Sequence, residues 1–331
     1  MNVRVGNANL AVRPADTYSL GGVEIEVTAT AKVAALIGAR LRFLRSPAAR
    51  QASIFFDIRV GGDDGFAASP DGPGRPVYDA PHSQLMYFEG PDQLFIDCPG
   101  RLRMLCGPAT GLVQSAVLSD DLGSALAAYP FLTIPLMEVM KRMGRFPLHA
   151  GCLAREGRGV LLAGTSGSGK STLTAALVME GWDFLSDDTV FLVPEGGAIS
   201  AWGFSDTIDC SDDTAAMFAE LRHLVGEPTM AGRGKHPVDV EEVFGVLPVP
   251  VCRPHALVLP TISGERRSVL RAVSASYALR ELVPNVLLTQ RAATQAHLDT
   301  LAELVSGVPC YSLSTGTDLV FAGRCLQEIL G

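Results

Sequence analysis

One nine-residue stretch, Gly-Thr-Ser-Gly-Ser-Gly-Lys-Ser-Thr over 164–172, constrains this chain more than any other. It satisfies G-x-x-x-x-G-K-[ST], with Gly164, Gly169, Lys170 and Ser171 at the fixed positions. The apolar run 159–163 ahead of it predicts a buried strand. The residues 173–180 behind it predict a helix, with Leu173, Ala176 and Leu177 on one face and Gly181 as its stop. Strand, glycine loop and helix is the context in which backbone N–H groups turn inward around phosphate oxygens while the helix points its positive end at them. The stretch therefore predicts a nucleoside triphosphate site built from Gly164, Thr165, Ser166, Gly167, Ser168, Gly169, Lys170, Ser171 and Thr172. Lys170 is expected to reach the β/γ-phosphates and the Ser171 hydroxyl to ligate Mg²⁺. No Asn-Lys-x-Asp base-reading motif of GTPases accompanies it, so the expected nucleotide is ATP.

The rest of the chain narrows the setting. A length of 331 residues favours two domains. With 47% hydrophobic and 19% charged residues, the composition is that of a globular chain and excludes a disordered one. A formal net charge of −8 speaks against a nucleic-acid partner. The seven cysteines (98, 106, 152, 210, 252, 310 and 325) never form C-x-x-C, which predicts reduced thiols in a cytoplasm and no zinc site. The first residues lack the apolar core of a signal peptide. The best membrane candidate, 123–137, is short and holds Pro130 and Pro135, so buried helices are expected there and no membrane partner.

Residues 1–120 read as a β-rich α+β domain. Strands are expected at 23–27, 53–60, 85–89, 94–97 and 102–106, and 31–42 reads as a helix, although 37–43 fits a strand nearly as well. From 118 to 145 the spacing turns helical, which places the second domain at 121–331. There strands are expected at 148–155, 182–193, 198–202, 253–259 (ending at Pro260) and 310–313. Helices are expected at 212–224, 274–282, 292–305 and 319–330, an α/β alternation.

Asp187 and Asp188 come 17 and 18 residues after Lys170, in the strand expected next. Two acids there can divide the work of phosphoryl transfer, one near the Mg²⁺ shell and one accepting a hydroxyl proton. Their plain alternative is a solvated strand end, but Phe184, Leu185, Val190 and Phe191 enclose them, and buried carboxylates need partners. His149 lies 21 residues before Lys170; alone it reads as a core histidine, but beside Asp188 an imidazole can orient the carboxylate. Arg233 and Lys235 sit in a basic glycine loop, 230–236, that reads equally as exposed loop and as phosphate contact.

His149-Ala-Gly, the loop 164–171 and Ser186-Asp187-Asp188, in this order and spacing, resemble the catalytic domain of HPr kinase/phosphorylase, and more nearly the HPr-kinase-like serine kinases. The resemblance covers about 149–193 and implies an α/β P-loop catalytic domain related to phosphoenolpyruvate carboxykinase. It implies His149 as the active-site histidine, Lys170 as the phosphate lysine, Ser171 as the Mg²⁺ ligand, Asp187 in or beside the metal's outer shell, and Asp188 as the base. The family signature Glu-x-Arg-Gly-Leu-Gly is not found; 204–213 offers Asp206, Asp209 or Asp213 in its place. The reaction implied is transfer of the γ-phosphate of ATP to a serine of a protein or peptide, in a chain whose relatives are often homo-oligomers. The alternatives are a kinase of a small hydroxylated metabolite and a non-catalytic ATP-binding regulatory module.

Overall fold

The structure is a computed structural model that describes residues 15–46, 51–61, 66–80, 83–118, 131–227, 229 and 234–331. The chain divides into two compact units, Met1–Val139 and Met140–Gly331. The division lies beyond the 120/121 junction expected from the change to helical spacing. A change from strand to helix spacing marks a new element, whereas a domain boundary falls where few contacts cross. Much of the expected helical region, 119–130, lies outside the described residues. Among the described residues no helix is long and apolar enough to cross a membrane.

The first unit is built on an eight-stranded sheet. Its strands are β1 (Ala15–Leu20), β2 (Val23–Thr28), β3 (Ile54–Val60), β4 (Arg75–Ala80), β5 (Ser83–Phe88), β6 (Gln93–Cys98), β7 (Leu102–Gly107) and β8 (Leu112–Val117), in the order β1-β2-β3-β8-β7-β6-β5-β4. From β8 to β4 it is an antiparallel meander, and β2, β3 and β8 run parallel. The parallel β2–β3 step needs a crossover, supplied by α1 (Ala31–Arg40), which buries Val33, Ala34 and Ile37. That settles the helix-or-strand ambiguity at 31–43: apolar residues three and four apart gain a buried face only as a helix. β3 alternates as a half-buried strand should, with Ile54, Phe56 and Ile58 inside and Phe55 and Arg59 outside. Helix α2 (Thr133–Arg142) runs across the division between the units.

The second unit is an α/β layer structure. Its nine strands are β9 (Phe146–Leu148), β10 (Ala150–Arg155), β11 (Arg158–Ala163), β12 (Asp183–Ser186), β13 (Val190–Glu195), β14 (Ala198–Gly203), β17 (Val251–Ile262), β18 (Val269–Val273) and β19 (Cys310–Thr315). The main path is β12-β10-β11-β17-β14-β13-β9, with β19 on β17 and β18 on β19. β15 (Thr207–Cys210) and β16 (His236–Asp239) form a separate ribbon. The remaining helices are α3 (Lys170–Met179), α4 (Asp212–Met217), α5 (Val240–Phe244), α6 (Ala275–Leu282), α7 (Arg291–Gly307) and α8 (Leu319–Leu330). β11, β17 and β19 run parallel, and β11 is buried almost throughout, as a strand covered on both faces must be. One core packs Leu173 and Leu177 of α3 and Leu326 of α8 against Val160, Leu162, Val258 and Leu313. The other packs Leu282 of α6 and Leu301 of α7 against Leu161, Leu257 and Leu259.

Two expected strands prove to be two each. The run 148–155 breaks at His149 into β9 and β10, and 182–193 breaks at 187–189 into β12 and β13. β17 instead passes through Pro260 to Ile262, because parallel pairing with β19 continues from Leu257↔Cys310 to Ile262↔Thr315. The expected helix 212–224 ends at Met217 and resumes as a 3₁₀ turn, Arg222–Leu224. At Gly203 a Cβ would overlap the Leu185 carbonyl oxygen, so this strand end tolerates no side chain. Gly203→Ala should therefore cost at least about 2 kcal/mol in urea melts. Gly307→Ala, with open space around it in a helix, should stay within about 1 kcal/mol of wild type.

Candidate phosphate and proton-transfer site

β11 ends at Ala163 and α3 begins at Lys170, so the residues between them form the turn that the sequence motif predicts. Gly167 and Gly169 take φ of 81° and 94°, values that only glycine adopts without strain. Gly169 is the N-cap of α3 and no side chain caps the helix, which leaves its first N–H groups to an external acceptor. Lys170 is buried and its Nζ donates to the carbonyl oxygens of Gly164 (2.7 Å) and Thr165 (3.2 Å), so the ammonium is pinned over the loop. Burial lowers its pKa; Asp187 and Asp188 oppose that shift and Lys235 adds to it. The Ser168 hydroxyl is buried without a partner among the described residues. Thr165, Ser166 and Gly167 are exposed, while the Thr172 hydroxyl turns away to Thr214 on α4 (2.7 Å).

The acids occupy the break between β12 and β13, and His149 occupies the break between β9 and β10. These breaks face each other. Leu148 pairs with Val190 on one side and Cys152 with Ser186 on the other, at the same antiparallel offset, and the register shifts only beyond the gap, between Cys152 and Leu153. His149 is thereby brought to Asp188: its Nδ1 lies 2.7 Å from the Asp188 carbonyl oxygen and 3.2 Å from Asp188 Oδ1. A carbonyl only accepts, so Nδ1 carries the proton. The His149 backbone N–H donates to the Asn285 carbonyl (3.0 Å), and Thr189 Oγ1 donates to Asp188 Oδ2 (3.1 Å). His149 and Asp188 are 39% and 29% exposed, which leaves both within reach of a substrate.

Asp187 is the buried member of the pair. Its Oδ2 accepts from Ser171 Oγ (2.7 Å) and from the Asp209 backbone N–H (3.2 Å), while Oδ1 has no partner among the described residues. Burial pushes its carboxyl up to about 6, the Ser171 hydrogen bond holds it down in part, and the charge of Asp209 raises it further. A buried carboxylate with one orphaned oxygen beside a loop hydroxyl suits a divalent cation. Ser171 and Asp187 are the residues that would hold Mg²⁺. One hydroxyl and one carboxylate fit an ion that takes its other ligands from phosphates and water. Among the described residues no group of three or more His, Cys, Asp or Glu forms a cage of its own.

The β15–β16 ribbon supplies what sequence reading left open. Of Asp206, Asp209 and Asp213, it is Asp209 that stands beside Asp187. Lys235 is close enough to affect Lys170, while Arg233 lies outside the described residues. A second histidine, His236, also sits on this ribbon, buried and bonded through Nε2 to Asp212 (2.8 Å); the sequence marked it only as the end of the basic loop. Its pairing with Cys210 across the ribbon is non-local, so no local pattern announces it. His297 is wholly buried against Phe146, and burial lowers its pKa to about 3. Trp182 is likewise packed in the core beside α3. Cys152 and Cys252 lie 3.5 Å apart at sulfur.

Comparison with known proteins adds two likenesses. The family described as SynChlorMet cassette protein ScmC matches residues 126–206, the stretch that holds His149, the glycine loop, Asp187 and Asp188. Among solved structures, the Hpr(Ser) kinase/phosphatase from Coxiella burnetii is similar over 56% of this chain and 99% of that chain. The identity is 14% and the TM-score 0.31, a weak likeness of fold alone. No curated protein matches the chain.

Asp187 generates a pH signature. A carboxyl near 6 in the folded chain and near 4 unfolded binds its proton more readily when folded. Its contribution to stability is thus fully present below pH about 4 and is lost as pH rises through about 6. Asp187→Asn should raise stability by roughly 2–3 kcal/mol at pH 8 without metal, and by almost nothing at pH 4. Thermal melts across that range check the sign; a gain independent of pH would contradict the assignment.

Proposed function

We propose that this chain is an ATP-dependent phosphotransferase that moves the γ-phosphate of ATP onto a serine hydroxyl of a protein or peptide. One observation carries the reading: Lys170 and Ser171 of the loop share a single region with Asp187, Asp188 and His149 at the paired strand breaks. The loop and the uncapped start of α3 bind the phosphates. Lys170, held over the loop by carbonyls, presents its charge to the β- and γ-oxygens. Mg²⁺ bound at Ser171 and Asp187 would neutralise charge on the phosphates.

Asp188 is the base in this reading. As the serine oxygen bonds to the γ-phosphorus and the bond to the bridging oxygen of ADP breaks, the serine proton passes to the Asp188 carboxylate. His149 keeps that carboxylate aimed, since its protonated Nδ1 is fixed between the carbonyl and Oδ1 of the same residue. A purely regulatory nucleotide-binding module has no use for such a proton acceptor. The serine of a protein or peptide is favoured over a small metabolite by the sequence resemblance of the three motifs.

Incubation with γ-labelled ATP, Mg²⁺ and a peptide library or cell lysate tests the proposal. Wild type should form phosphoserine, and Asp188→Ala should lower the rate by about 100-fold or more with little change in ATP affinity. Lys170→Ala should weaken ATP binding by about tenfold or more. If wild type labels nothing that Asp188→Ala fails to label, the kinase reading fails.

A further inference from the structure

The strand order gives the phosphate site a direction. The acids lie at the end of β12, reached from the loop strand β11 through β10, while β17 and then β19 flank β11 on its other side. β11, β17 and β19 are parallel, so their carboxyl ends open on the same edge of the sheet, where ligands of such folds bind. A triphosphate whose γ-end meets Asp188, on the β12 side of the loop, has the carboxyl ends of β17 and β19 on its other side to receive the nucleoside.

One residue there is out of keeping with its strand. β17 is buried from Ala256 to Pro260, yet its last residue, Ile262, is 69% exposed. Its side chain abuts the phosphate loop: a Cβ on Gly169 would lie 3.1 Å from Ile262 Cγ1. Ile262 lies four residues on from Val258 and its partner Thr315 two on from Leu313, and both of those residues pack under α3, so Ile262 stands on the helix side of the sheet. The edge beside it is preformed. Ser263 N–H donates to the Thr315 carbonyl (2.8 Å), Thr317 N–H to that of Glu265 (3.0 Å) and Asp318 N–H to that of Arg266 (2.9 Å). The Gly316 N–H donates to the buried Ser268 hydroxyl (3.0 Å).

We infer that Ile262 is the apolar shelf on which the base of the bound nucleoside triphosphate rests, and hence a residue that sets affinity for nucleotide over bare phosphate. This rests on the phosphate-binding reading of the loop. A flat heteroaromatic ring laid on an exposed isoleucine removes apolar surface of both from water, and a hydrogen-bonded rim keeps the shelf in place without ordering cost on binding.

ATP and inorganic tripolyphosphate, each titrated calorimetrically with Mg²⁺, separate the shelf from the loop. Ile262→Asn keeps the charge and alters only an exposed side chain, so its melting temperature should match wild type. It should weaken ATP by about tenfold and leave tripolyphosphate within about twofold. Ile262→Met should bind both ligands as wild type does. Equal weakening of both ligands by Ile262→Asn, or of neither, overturns the shelf and leaves the loop standing, because wild type still binds tripolyphosphate. A wild-type protein that binds neither ligand overturns the phosphate reading and the shelf with it.

Discussion

The site depends on one antiparallel pairing that is interrupted without losing its register. Leu148↔Val190 and Cys152↔Ser186 hold the two sides, and 149 and 187–189 lie in the gap between them. Inside an unbroken ladder, side chains alternate between the two faces of the sheet and two adjacent acids could not both serve one site. In the gap the backbone groups find other partners: the His149 N–H takes the Asn285 carbonyl, and the Thr189 carbonyl takes the Ser186 hydroxyl. Asp187 turns inward to Ser171 and Asp188 turns to His149. The glycine loop 164–169 contributes its half from the neighbouring strand β11, which pairs with β10 on one side and β17 on the other.

This arrangement trades stability for a buried charge. An acid in the interior with an unpaired oxygen is a group that folded chains seldom keep, and burial is the largest of the influences that together bring Asp187 to about 6. The neighbouring Asp209 raises it further, so the ribbon β15–β16 stabilises the site geometrically through its backbone N–H and opposes it electrostatically through its carboxylate. A divalent cation held by Ser171 and Asp187 would relieve that conflict. Lys170 is in the opposite position, buried and lowered, with Asp187 and Asp188 opposing that shift.

Much of this was legible in the sequence because some of its signals are local. Gly167 and Gly169 mark positive φ, 170–179 carries an apolar helical face, and the alternation at 54–60 is that of a half-buried strand. What escaped was set by distant partners. The apolar run around Asp187 and Asp188 reads as one strand, since hydropathy does not register that β12 and β13 pair with different strands. Pro260 reads as a stop, yet β19 keeps β17 extended past it. β15 and β16 are four residues each, and they are joined by pairing across an intervening segment that holds α4. Asp209 therefore looked like one of three interchangeable acids, and only the ribbon places it against Asp187.

The account stands or falls on where the terminal phosphate lies. A crystal structure with Mg²⁺ and a non-hydrolysable ATP analogue measures this directly. The account predicts the γ-phosphate between Lys170 Nζ and the Asp188 carboxylate, with the nucleoside extending towards the end of β17. A nucleotide bound elsewhere, or one in the loop with its γ-phosphate directed away from Asp188, would contradict it.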